Sequence, residues 1–304
     1  MASFTTQIKD EVTKIETDRP ESLCEVCAYL RYAGKLNNDG IDLFVENASV
    51  ARRMFNLIKR LYGVNIKLTI RNQKKFVIKT IYILSIREKI ELVLDDVKDA
   101  YNHILDYSDS EKASYLKGIF LANGSINDPS KSKYHLEFLV NNKNDANLVN
   151  KILLSFDFNS KFLERDKGFM VYLKAAEEIS DFIKLIGATQ ALFYYEDIRI
   201  YRDHKNMVNR LNNCEQANVE KSMRTCNVQI NNIEYLKDND LLSLVSEQTK
   251  IVIDYRIKYP ETTLNELASI ISLETDYKIT KSGINHHFRK IKDLVERHKK
   301  SKEK

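Results

Sequence analysis

Apolar and polar positions alternate in two different styles along the chain. Near the start, Phe4, Ile8, Val12 and Ile15 recur on one face at helical spacing and predict a short amphipathic helix ending before Pro20. From about residue 20 to residue 190, helical stretches are interleaved with segments of period two. In "VNIKLTI" (64–70), Ile66, Leu68 and Ile70 take one face, while Lys67 and Thr69, continued by Arg71, take the other. "NQK" (72–74) and "DKG" (166–168) supply turn residues between strands. Beyond about residue 191 the pattern is helical only. "LLSLVSEQTKIVIDYRIKYP" (241–260) predicts one helix stopped by Pro260. "TTLNELASII" (262–271) opens on threonine caps and places Leu264, Leu267, Ala268 and Ile271 at i, i+3, i+4 and i+7. Thr280 caps a last helix on which Ile284, Phe288, Ile291 and Val295 form a narrow apolar stripe. Ser282, Asn285, His286 and Arg289 lie opposite that stripe, and Lys281 and Lys290 flank them.

The first part of the chain is written twice. "YLRYAGKLN" (29–37) lies under "IFLANGSIN" (119–127), with Gly34 over Gly124 and Asn37 over Asn127. Further on, Asn65 matches Asn159 and Lys67 matches Lys161, so the second copy carries a longer loop at "NDPSKSK" (127–133). Each copy reads helix, strand, helix, strand, turn, strand, helix, and helices over one face of an antiparallel sheet make an α+β layer. Small residues around the two glycines (Ala28, Ala33, Gly118, Ala122) allow the two helices to approach backbone to backbone. The expected parts are an N-terminal helix with the first half (1–105), a second half (106–190), a helical linker (191–232) and an all-α part (233–304).

Charge sharpens this picture. The chain of 304 residues is formally +5, yet residues 278–304 hold ten Lys or Arg against three acids. The other 277 residues hold 38 bases and 40 acids. The positive excess therefore sits at one end, on the patterned last helix, and points to a polyanion. In the repeat, Lys67, Arg71 and Lys79 give a basic sheet face and thus an auxiliary DNA contact, but Glu164 beside Arg165 interrupts it in the second copy. Residues 188–226 read as a packed helical connector that also carries Arg210 among asparagines.

Other chemistries find little support. Cys24 and Cys27 form a CxxC, but Cys214 and Cys226 make no matching pair; all four read as ordinary residues and no metal or cofactor is expected. The eight glycines form neither GxGxxG nor GxxxxGK[ST]. The polar N-terminus and the absence of a long apolar run predict a cytoplasmic, nucleoid-associated protein with no membrane partner.

"LKGIFLANGSI" (116–126) resembles the LAGLIDADG motif of homing endonucleases, in which two such helices pack at a pseudo-twofold axis. The resemblance implies a metal-holding acid just before each final glycine. Here those positions hold Ala33 and Asn123, so the anionic ligands of two-metal phosphodiester cleavage are missing. Taken with "VNRLNNCEQANVEKS", "YPETTLNELA" and "ITKSGINHHFRKI", nearly the whole chain is similar to the WhiA-type bacterial transcriptional regulators. That resemblance implies a catalytically inactive LAGLIDADG-like domain followed by a helix-turn-helix. It also implies promoter DNA and other transcription proteins as partners, and a role in cell division, growth or sporulation-type control. Lys281, Ser282, Asn285, His286, Arg289 and Lys290 are the expected DNA contacts, with Arg289 and Asn285 suited to guanine and adenine edges. Two other readings stand beside this one: an endonuclease with residual activity at Asn123, and a ligand-sensing or protein-interaction module using the old seam.

Overall fold

Ser3 starts the first helix, α1 (Phe4–Val12), by accepting the Thr6 N–H on its hydroxyl, and the helix buries Phe4, Ile8 and Val12. Ile15 lies beyond its end. Pro20 does not close this helix; it sits in the first turn of the next, α2 (Arg19–Ala33), where a missing N–H costs nothing. The structure is a computed structural model that describes residues 2–302 except 76 and 167, with the side chains of 73–79 also outside the description. It divides into two units, Met1–Asp203 and His204–Lys304.

In the first unit α2 is followed by β1 (Gly34–Asn37), β2 (Gly40–Val45), α3 (Ala48–Tyr62), β3 (Ile66–Lys75), β4 (Val77–Ile86) and α4 (Ile90–His103). The series then repeats as α5 (Asp109–Asn123), β5 (Gly124–Ile126), β6 (Leu136–Val140), α6 (Lys143–Leu154), β7 (Lys161–Arg165), β8 (Gly168–Leu173) and α7 (Ala176–Leu185). Both sheets are antiparallel, with orders β1-β2-β4-β3 and β5-β6-β8-β7. The duplication extends to side chains. Asn65 donates its backbone N–H and side-chain amide to Glu88, and Asn159 does the same to Glu178.

Three local expectations change. Each copy holds two strands before its second helix rather than one, because β1 and β5 are too short to show alternation. "NQK" is strand, not turn: pairing runs on through Asn72↔Thr80 to Lys75↔Val77. None of these residues supplies the left-handed backbone a tight turn favours, whereas Gly168 (φ +125°) does so beside Asp166 in the second hairpin. Finally, Glu164 does not interrupt a basic face. It pairs with Phe169, one residue out of phase with Lys161, Leu163 and Arg165, so alternation turns it to the opposite side of the sheet.

The two halves meet along α2 and α5. A Cβ added at Gly118 would lie 2.4 Å from the Glu25 carbonyl oxygen and 2.8 Å from the Ala28 Cβ, so only glycine permits this approach. Beside it, the buried Glu25 carboxylate is held by both forks of the Arg53 guanidinium from α3 and, at 3.0 Å, by Lys117 Nζ from α5. Arg53 also donates to the Thr13 and Ile15 carbonyls, tying the segment after α1 to the seam. Cys24 and Cys27 are buried free thiols of α2, and burial pushes the Cys24 thiol up to about 12.

Helix α8 (Thr189–Asp238) begins where the Glu11 carboxylate accepts the Gln190 and Ala191 N–H groups. From residue 203 to residue 221 every side chain of α8 is exposed, so this stretch is helical but not the packed connector expected. Val208, Leu211 and Val219 lie within about 80° of one another on the helix, yet all of them face solvent.

In the second unit a 3-10 turn (Leu241–Leu244) precedes α9 (Glu247–Lys258), α10 (Leu264–Glu274) and α11 (Lys281–Lys302). Residues 241–260 are thus two elements, since Ser246 caps α9 afresh by accepting the Thr249 N–H. Ile233 and Leu236 of α8 join Val252, Ile253, Leu267, Ile271, Ile284, Phe288, Ile291 and Val295 in one core.

Candidate nucleic-acid interface

Helices α10 and α11 carry the strongest start signals of the second unit. Thr263 and Glu266 form a reciprocal capping box on α10. Thr280 caps α11 by accepting the Gly283 N–H at 3.3 Å. The connecting turn is pinned by Ser272, whose hydroxyl bonds both the N–H and the carbonyl of Ile279.

The apolar stripe predicted on α11 is buried at all four positions, and Lys281, Ser282, Asn285, His286, Arg289 and Lys290 are all exposed. The structure brings Asn285 and Arg289 into one cleft of about 310 Å³, lined also by Arg224, Val228 and Asn232 of α8 and by Lys292. Ser282, His286 and Lys290 stand outside that cleft. Arg224 and Lys292 add positive charge that sequence reasoning did not single out. The spacing of Arg224 on α8 gives no hint that it faces another helix.

His287 was also missed. It is buried, with Nδ1 2.9 Å from the Thr249 hydroxyl and Nε2 2.9 Å from the Tyr277 hydroxyl, so it locks α11 to α9 and to the turn. Burial lowers its pKa, and the nearby positive charge of Lys290 and His286 lowers it further.

On the first unit, Lys67 and Arg71 are exposed on β3. Register places Lys67, Ser85, Asp42 and Lys35 in one row across the sheet, on the side away from the buried Leu43 and Leu84. The Lys79 side chain lies outside the described residues. Arg210 is exposed on α8.

Ala33 and Asn123 are the last residues of α2 and α5, side by side at the seam. Asn123 Nδ2 donates to the Tyr32 carbonyl at 3.0 Å, so the amide ties the two helix ends together by its donor end. Close by, Lys9 Nζ donates to the Leu121 carbonyl at 3.1 Å, and burial pushes its pKa down to about 8. Ala33 has no donor atom for a cation. Among the described residues no group of three or more His, Cys, Asp or Glu could hold a metal ion.

This is a duplicated LAGLIDADG-like α+β fold joined to a helix-turn-helix. The comparisons agree segment by segment. Residues 19–98 match the WhiA N-terminal LAGLIDADG-like domain, 112–205 the WhiA LAGLIDADG-like domain, and 208–295 the WhiA C-terminal HTH domain. Relatives from Staphylococcus aureus strains JH9 and Newman, each named "Probable cell division protein WhiA", are 38% identical over 97% of this chain and 97% of their own. The crystal structure of full-length WhiA from Thermatoga maritima is similar with a TM-score of 0.59 at 25% identity, covering 97% of this chain and 99% of that one. A structure of the N-terminal LAGLIDADG domain of WhiA matches 62% of this chain and 94% of its own, with a TM-score of 0.51 at 24% identity. The chain belongs to the WhiA family. Among the described residues, no helix is long and apolar enough to cross a membrane.

Proposed function

We propose that the protein is a sequence-specific regulator that binds promoter DNA through α11, and that its LAGLIDADG-like unit does not cleave DNA. The observation that carries this reading is the split of α11 into a stripe buried in the unit's own core and a solvent-facing polar side. That polar side presents Asn285 and Arg289, which suit adenine and guanine edges in the major groove. Lys281, Ser282, His286 and Lys290 surround them with groups suited to phosphate. Residues 233–304 then form the reading part, and 1–105 with 106–190 form two halves of a scaffold. The outward sheet face with Lys67 and Arg71 serves as an auxiliary contact, and Arg210 on the exposed part of α8 as another. The relatives' name supports a role in cell division, exerted at the nucleoid in the cytoplasm.

The test is genome-wide footprinting of the intact chain beside a variant lacking residues 278–304, followed by affinity measurements on an occupied site. Arg289→Ala should weaken that site by about 1–3 kcal/mol while sparing unrelated DNA. Lys290→Ala should weaken all sequences alike and flatten the salt dependence. Unchanged occupancy by the truncated chain would refute the reading.

A further inference from the structure

Arg256 of α9 is fully buried and has no carboxylate partner among the described residues. Its Nη1 donates to the Thr262 carbonyl at 2.7 Å and the Tyr259 carbonyl at 3.4 Å, while Nε and Nη2 have no partner. A guanidinium stays protonated under ordinary conditions, so this is a buried cation with two idle donors. Such groups are rare in a finished interior and point to something that arrives from outside.

Arg256 lines a cleft of about 390 Å³ with Lys221 of α8, Lys281 at the start of α11, and Leu264 and Asn265 at the start of α10. The capping box occupies the Thr263 and Glu266 N–H groups. The Leu264 and Asn265 N–H groups, in the first turn, have no acceptor within the helix, and the helix dipole adds positive potential there. Gln229 lines the same cleft with its Oε1 buried and unpartnered, and a flip of its amide presents a donor instead. Three cations, two free backbone donors and an adaptable amide thus surround one space. That is the donor set of an oxyanion site at a helix N-terminus.

We propose that this cleft takes a phosphate of the DNA backbone, held by Arg256, Lys221, Lys281 and the first turn of α10. This rests on the reading of α11 as the base-reading helix. A phosphodiester of the duplex suits the site better than a free phosphate for two reasons. Lys281 belongs both to this cleft and to α11. Thr225 and Gln229 line both this cleft and the one holding Asn285 and Arg289, so a strand following α11 passes its mouth.

The test uses the full chain and a random-sequence duplex of about 25 base pairs, with affinity followed against salt concentration. Lys221→Gln and Arg256→Gln should each weaken binding to all sequences alike and reduce the salt slope, the two together by at most about 0.9, the value for one phosphate. Lys221 is exposed, so its variant remains informative if Arg256→Gln fails to fold. In parallel, melting in inorganic phosphate is compared with melting in chloride at equal ionic strength. A reduced slope, with or without stabilisation by inorganic phosphate, supports the proposal. Stabilisation by phosphate that Lys221→Gln abolishes, with the slope unchanged, overturns the DNA assignment in favour of a free phosphate. An unchanged slope and no phosphate effect overturn the site altogether. If the unaltered chain does not bind the duplex, the reading of α11 fails instead, and the melting comparison still judges the cleft.

Discussion

Replacing Asn123 with aspartate restores, by one atom, the acid that a LAGLIDADG nuclease would carry at the end of α5. The side chain then loses the amide that donates to the Tyr32 carbonyl at 3.0 Å. Losing this hydrogen bond costs about 0.5–1.5 kcal/mol, and leaving the carbonyl without a donor raises the total to about 1–3. A negative charge in the last turn of a helix opposes the dipole and adds roughly 0.3–1 kcal/mol. The neighbouring Lys9 ammonium returns part of this, so the net loss should be about 2–3 kcal/mol. For a unit of this size each kcal/mol lowers Tm by roughly 2–4 °C. Circular dichroism melts at pH 8 should therefore show the first unit unfolding about 4–12 °C early. The sign with pH is fixed by the geometry. A carboxyl facing a carbonyl is favoured in its protonated form, which can donate to Tyr32, so its folded pKa lies above the unfolded one. The deficit should shrink as pH falls through that raised pKa and be largest at alkaline pH. Asn123→Asp should also leave supercoiled plasmid intact in Mg²⁺ or Mn²⁺, because Ala33 still offers no ligand. A variant as stable as the unaltered protein at pH 8 would refute the amide's role. Metal-dependent nicking by the variant would refute the argument that Ala33 alone is enough to block cleavage.

Gly118→Ala should cost about 3 kcal/mol, the upper part of the usual overpacking range, because the obstructing atom is the Glu25 backbone carbonyl and cannot rotate away. Adding Ala28→Gly removes only the 2.8 Å contact and should rescue the melt in part; full rescue would argue against the backbone clash. Glu25→Gln leaves Arg53 and Lys117 buried without their shared counter-ion and should cost about 3–5 kcal/mol in urea unfolding. A loss below about 1 kcal/mol would mean that the seam does not depend on this carboxylate. His287, with its folded pKa depressed, contributes stability that is fully present above the unfolded value of 6.5 and is lost as pH falls through the folded value. The second unit's melt should accordingly drop as pH falls below about 6.5, and His287→Gln should remove most of that slope.

What the sequence disclosed and what it hid divide along a physical line. Local periodicity and caps were legible: the stripe of Ile284, Phe288, Ile291 and Val295 is buried as predicted, and Thr280 and Thr263 start their helices. The duplication was legible through Asn65 and Asn159, which turn out to bind equivalent glutamates. β1 was not, because four residues with three exposed positions carry no alternation. Long-range polar pairing stayed hidden for a different reason. Glu25, Arg53 and Lys117 come from three helices, and each alone reads as a solvent-facing charge. His287 depends on Thr249 and Tyr277, one of them 38 residues away, and stands beside an exposed His286 that draws the eye. Arg256 gave no warning either, since its idle donors exist only once α8, α9 and α10 meet.

The proposal of an inactive scaffold has a physical basis in the seam between the halves. In such a frame two tasks fall to the same helix pair: close packing, and presentation of charge at the helix ends. The packing task is carried by Gly118, Ala28 and the Glu25–Arg53–Lys117 cluster, all buried within the seam rather than at its catalytic end. None of them would need to change when the acids are lost. At the end itself, two carboxylates with no metal would repel each other and oppose both helix dipoles. The residues present reverse that problem. Ala33 removes one charge outright, Asn123 turns its donor towards the neighbouring helix, and Lys9 brings a cation to the carbonyl of Leu121. Each step favours a closed, metal-independent contact. On the inactive-scaffold reading, the arrangement gains stability from the residues that replace the acids, which is why restoring one acid should weaken the fold without restoring the reaction.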